Sequence, residues 1–187
     1  TRSGGARVPG VPGESTMARP ATMPVPDDRR DPVAQVERTA LEVLLQVPAL
    51  VPLDADDLSA DAFAVPAYRA VHEAIRAAGG PGEGRRLVAE GGSATAWVGR
   101  VLEEAAEPVR PLVTELAVAP LPEDRLDAVP DYARGVVRRL AEIGVTRRIA
   151  EMRGRLQRMA DDDPAYGATF AELVALEGRR RTLRDSA

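Results

Sequence analysis

Apolar side chains recur every three or four positions along most of this chain, the spacing of one helix face rather than of a strand. The longest such pattern lies in the last third. Val136, Val137, Leu140, Ile143, Ile149, Met152, Leu156 and Met159 fall at helical spacing between Pro130 and Ala160. Asp161-Asp162-Asp163-Pro164 then stops one helix and starts another, and Tyr166, Phe170, Leu173, Leu176 and Leu183 continue the period. Ile149, Met152, Leu156 and Met159 are predicted to form one stripe, and Tyr166, Phe170, Leu173 and Leu176 the facing one. The two arms read as a helical hairpin. At roughly 40 residues such a unit is at the size where isolated cores usually fail. It must lean on the rest of the chain or on a partner, so protein binding leads over catalysis.

Upstream, punctuation residues divide the chain into shorter helices. Asp31-Pro32 gives an N-cap followed by proline at the first helical position. Val33, Val36, Ala40, Leu41, Leu44 and Leu45 form the apolar face of that helix, and Pro48 ends it. Asp54 to Leu58 reads as a short capped helix. Pro66 opens a helix with Tyr68, Val71, His72 and Ile75 inward, closed by Gly79-Gly80. The stretch GGPGEGRRLVAEGG (79–92) is predicted to be a flexible loop or a loop with one short turn. Ser93 caps a helix containing Trp97, Val101 and Leu102, and Pro108 opens another with Val109, Leu112, Val113 and Leu116. Gly135, Gly144 and Gly154 weaken the long arm, and a bend is expected near Gly144. The fold class is all-α, an N-terminal multi-helix bundle (31–140) linked by a long helix to a C-terminal helical hairpin (141–187). Residues 1–30, rich in Pro, Gly and Arg, are expected to be a disordered linker.

Composition narrows the function. The core must be built from Ala, Leu and Val, since aromatics make up only 3% of 187 residues. Every basic residue is Arg, which fits the coding bias of a GC-rich genome. A net charge of −4 argues against general coating of DNA, which needs surplus positive charge to displace counterions. The absence of Cys excludes disulfides and thiol chemistry and fits a reducing cytoplasm. No stretch approaches the roughly 18 apolar residues of a membrane span. A start at Thr1 rather than Met suggests a piece of a longer protein.

Candidate chemistry is sparse. His72 is the only histidine and lies on an apolar face, so it reads as a packed residue rather than a zinc ligand. Asp54, Asp56 and Asp57 resemble a carboxylate cluster, but capping explains them without a metal. The glycines at 79, 80, 82 and 84 follow no strand and precede no Gly-Lys-Ser/Thr, so a phosphate loop is excluded. Arg147, Arg148 and Arg179 to Arg181 are interleaved with Glu142, Glu151, Glu172 and Glu177, which points to ion-paired helix faces. Trp97 is expected to anchor the core. Tyr166 and Phe170 serve equally as hairpin packing or as partner contacts, where buried aromatics dominate interface energy.

The order of these features resembles the C-terminal, helicase-binding domain of bacterial DNA primase, of the actinobacterial type. ERTALEVLLQVPAL (37–50) is similar to the family's opening helix, AFAVPAYRAVHEAIRAAGG (62–80) to its Phe-x-x-Pro-x-Tyr helix, and LVTELAVAPL (112–121) and FAELVALEGRRRTLR (170–184) to later segments. The likeness spans residues 32–187. It implies a six-helix bundle followed by a hairpin, in which the hairpin docks on the N-terminal domain of the hexameric replicative helicase and the bundle modulates the helicase, so that the domain recruits and regulates priming in DNA replication. It also implies zinc-binding and metal-dependent polymerase domains upstream, with no cofactor or metal in this segment. Residues 1–30 would then be the tether to the polymerase core, which raises effective concentration at the helicase. In some family members the first helix takes the acidic tail of single-stranded DNA-binding protein. Arg38 is the matching position, while Val33 stands where a second basic residue is expected.

The resulting expectation is a cytoplasmic, non-catalytic docking module. Its helicase contacts are assigned to Leu156, Met159, Tyr166, Phe170, Leu173, Arg179, Arg180 and Arg181, with a secondary tail site at Arg38 and little or no contact with nucleic acid or membrane. Three rivals remain. They are a helicase N-terminal domain, an Arg-rich nucleic-acid-binding module, and a carboxylate metalloenzyme at Asp54, Asp56 and Asp57.

Overall fold

Asp31 opens the first helix of the computed structural model, which describes residues 31–123, 125, 127–160 and 162–185. The segment 1–30, expected to be a linker, lies outside the described residues. Asp31 Oδ1 accepts from Val33 N at 2.9 Å and Pro32 fills the first turn, so helix α1 (Pro32–Gln46) begins where local chemistry dictates. The other helices are α2 (Pro66–Ala77), α3 (Gly80–Ala89), α4 (Ala94–Glu104), α5 (Arg110–Val118), α6 (Val129–Arg158) and α7 (Tyr166–Asp185). Three short 3-10 turns (Pro48–Leu50, Leu53–Asp57 and Ala60–Ala62) link α1 to α2. No strand occurs among the described residues.

The bundle is built around α1, which packs against α2, α4, α5 and α6. Ala40, Leu41, Val43, Leu44 and Leu45 are all buried, and Trp97 of α4 is sealed among them, donating from Nε1 to Leu44 O at 3.0 Å. Tyr68, Phe63, Ile75 and Leu116 complete the core. The first half of α6 belongs to it as well, through Ala133, Val137 and Leu140. The second half of α6 leaves the bundle and pairs with α7.

Residues 79–92 are not a loop, since most of them form α3. Their glycines act through tertiary contacts. Gly79 takes φ 110°, a left-handed conformation that closes α2. A Cβ on Gly84 would lie 2.9 Å from the Trp97 ring and 3.0 Å from Pro48. Asp56 caps α3 from outside, its Oδ1 accepting from Gly82 N at 2.7 Å while Oδ2 pairs with Arg85.

Two features fix the long arm to the bundle. Gly144 lies within α6, where a Cβ would approach Ala62 Cα to 2.8 Å, so this glycine lets the helix lie close against the bundle. Glu37, fully buried on α1, accepts from Ala64 N at 2.7 Å and Val65 N at 3.0 Å, just where α2 begins. Arg147 of α6 approaches the same carboxylate at 3.9 Å and donates to Asp61 O. A buried charge is tolerated here because hydrogen bonds and a counter-charge surround it.

Candidate functional site

The hairpin turn is set by Asp163. Its Oδ1 accepts from Ala165 N at 2.8 Å and its carbonyl from Tyr166 N at 2.9 Å, so the chain reverses and α7 starts immediately. Along the seam α6 contributes Val145, Ile149 and Met152, all buried, with Leu156 and Met159 half-buried towards the tip. From α7 come Thr169, only 4% exposed, and the half-buried Leu173, Leu176 and Leu183. The Thr169 hydroxyl is satisfied within its own helix, donating to Ala165 O at 2.9 Å.

The stripe predicted on α7 therefore splits. Leu173 and Leu176 turn into the seam together with Thr169. Tyr166 and Phe170 do not. At 100° per residue they lie with Val174 on a flank about 100° round the helix from the seam. Tyr166 is 37% exposed, Phe170 51% and Val174 55%. One hairpin buries one side of each helix, and the small Thr169 leaves nothing on the adjoining flank to cover the rings. Val174 was missed from sequence, although its spacing of four from Phe170, itself four from Tyr166, carried the signal.

Ion pairs hold the arms in register on both sides of the seam. Arg148 meets Glu172 at 2.9 Å on the side facing the bundle turns, and Arg153 meets Glu177 at 2.6 Å on the side of the exposed flank. Arg184 meets Glu142 at 3.0 Å nearer the bundle. Each exposed pair contributes well under about 1 kcal/mol, so their value is alignment rather than stability. Of the three expected rim arginines, Arg179 donates to Asp57 O at 3.4 Å and Arg180 pairs with Glu177 at 2.5 Å. Arg181 makes no hydrogen bond or ion pair among the described residues, and helical phase places it on the flank of Tyr166 and Phe170.

The remaining candidates lie elsewhere. Arg38 bonds Glu42 at 2.9 Å and Glu115 at 2.8 Å. Burial works against its charge, but the hydrogen bonds of Glu115 and Tyr68 and the nearby carboxylates outweigh this and raise its pKa. His72 is 1% exposed, with its ring centroid 4.8 Å from that of Phe63. Burial, with a smaller contribution from Arg76, lowers its pKa to about 4, so it is a neutral core residue. Asp56 is committed to α3, and among the described residues no group of three or more His, Cys, Asp or Glu could hold a metal ion. No helix of the described residues is long and apolar enough to cross a membrane.

Residues 37–166 match the family model described as DNA primase DnaG DnaB-binding. The chain belongs to this DnaB-binding family of DNA primases. Curated relatives agree. A DNA primase of Mycolicibacterium smegmatis is 36% identical over 190 residues, covering 100% of this chain and 29% of the relative. One from Streptomyces coelicolor is 35% identical over 191 residues, covering 98% and 28%. The chain thus spans less than a third of the curated relatives it matches. A solved structure, the helicase binding domain of primase from Mycobacterium tuberculosis, superposes with a TM-score of 0.59 at 36% identity, covering 81% of this chain and 91% of that one. The family match favours a primase domain over a helicase N-terminal domain, and the all-helical fold is the one the resemblance implied. The exposed flank from Phe170 to Val174 lies beyond the residues that the family model matches.

Proposed function

We propose that this chain is a non-catalytic docking module that holds a DNA primase on the replicative helicase, and that it docks through Tyr166, Phe170 and Val174. The supporting observation is that these side chains stay 37%, 51% and 55% exposed beside a seam that is otherwise filled. An aromatic side chain carries about 150–250 Å² of surface. Covering the open part of Phe170 is then worth about 2.5 kcal/mol at about 25 cal/mol per Å². Leu156, Met159 and Leu173 support the flank from within the seam, and Arg181 is the rim cation available to orient the partner. The primer-synthesising chemistry, with its zinc and magnesium, belongs in this reading to other domains of a cytoplasmic primase. Direct nucleic-acid binding is not part of it, since net charge is negative and the hairpin arginines mostly face carboxylates. An acidic tail at Arg38 would have to displace Glu115, so Arg38 reads as a structural residue.

Hydrogen–deuterium exchange on the full chain with and without the cognate helicase tests this. Added protection should centre on residues 166–181. Protection confined to α2–α5 would overturn the assignment.

A further inference from the structure

Three side chains are too few for a stable interface. The open parts of Tyr166, Phe170 and Val174 amount to roughly 250 Å², whereas a specific interface takes about 800 Å² from each partner. The surface must continue, and helical phase shows where. Thr146, Ala150 and Arg153 of α6 fall within about 60° of one another. Arg153 pairs with Glu177, which shares the flank of Phe170, so this side of α6 adjoins the exposed flank of α7. Thr146 and Ala150 are exposed, and Ile143 and Val33 are half-buried. These four, with Arg139 and Arg184, line a 470 Å³ groove where the start of α1 meets α6 and the end of α7.

The charge where Arg139 and Arg184 line this groove is unbalanced. Arg139 and Arg184 share one carboxylate, Glu142, at 3.1 and 3.0 Å. Arg147, also on the groove wall, is directed to Asp61 O and the buried Glu37. Two guanidinium groups on one carboxylate leave a surplus positive charge among the described residues. The small side chains at 146 and 150 form a shallow floor with room for a helix to lie close.

We propose that the helicase-docking surface continues from Tyr166, Phe170 and Val174 across the hairpin into this groove, and that its occupant is an amphipathic helix of the helicase. Its apolar side covers Thr146, Ala150 and Ile143, and a carboxylate meets Arg139 and Arg184. The inference rests on the docking reading above and extends it from the outer hairpin to the start of α1.

Calorimetric titration of the full chain against the cognate helicase tests it with Ala150→Glu, Arg184→Gln and Phe170→Ala. Position 150 is exposed, so Ala150→Glu should keep the wild-type melting temperature. It should weaken docking by about tenfold or more, because it puts bulk and an unpaired charge beneath the apolar side of the incoming helix. Arg184→Gln should weaken docking about threefold to tenfold and flatten its salt dependence. If Phe170→Ala weakens docking while both groove variants bind within twofold of wild type, the footprint ends on α7 and the extension is overturned, with the docking reading intact. If none of the three weakens docking, both fall. Should Ala150→Glu lower the melting temperature, Thr146→Gln on the same floor replaces it, with the same loss expected and the same twofold limit overturning the extension.

Discussion

Acidification from pH 8 to pH 5 should remove about 2 kcal/mol of stability through His72 alone. The ring is 1% exposed, and neither nitrogen has a hydrogen-bond partner among the described residues. Its folded pKa is about 4 against an ordinary 6.5. The lowered value means that the unfolded chain binds the proton more readily. The stability is therefore fully present above pH 6.5 and is lost as pH falls from there through 4. The whole difference is about 3 kcal/mol, and the linkage relation evaluated at pH 5 gives about 2 kcal/mol. Glu83 and Glu142, both lowered by hydrogen bonds from arginines, interfere little in this window. Glu83, held at about 2 by hydrogen bonds from Arg86 and Arg100, changes its contribution only below about 4.5. Urea denaturation at pH 8 and pH 5, on wild type and on His72→Leu, isolates the effect. The wild-type loss should exceed the variant's by about 2 kcal/mol. Equal losses would refute the burial argument for His72.

Other consequences follow from the joints of the fold. Glu37→Ala strands two backbone donors and removes the charge opposite Arg147, so chemical denaturation should show a loss of about 3–5 kcal/mol. A loss below about 1 kcal/mol would show that the carboxylate is dispensable. Gly144→Val drives a side chain into Ala62 and should destabilise by about 1–3 kcal/mol. Gly135→Ala, with nothing within 4 Å of the added carbon, should instead stabilise by up to about 1 kcal/mol. Melts of the two variants moving in the same direction would contradict the account of α6.

Much of the fold could be read from local chemistry. Asp31 with Pro32, Pro66 and Ser93 act within their own turns, so the starts of α1, α2 and α4 were legible. α3 was not, because its glycines are selected by Trp97, Pro48 and Asp56, partners distant in sequence. Glu37 on an apolar helix gave no sign that it would anchor the start of α2. In the hairpin, residue spacing identified both arms but could not separate seam from flank. Tyr166, Phe170, Leu173 and Leu176 all satisfy a three-or-four rule, and only the position of α6 decides which of them it covers. Thr169, polar by type, takes the seam position nearest the tip because it is small and bonds its own backbone.

If the helicase completes the open flank of α7, the affinity of the full chain for the cognate helicase must fall when Tyr166→Ala and Phe170→Ala are combined. Both side chains lie outside the seam, so the melting temperature should hold. The dissociation constant should rise by about 10- to 1,000-fold, equivalent to about 1.4–4 kcal/mol. A folded double variant that binds the helicase within twofold of wild type would contradict the account.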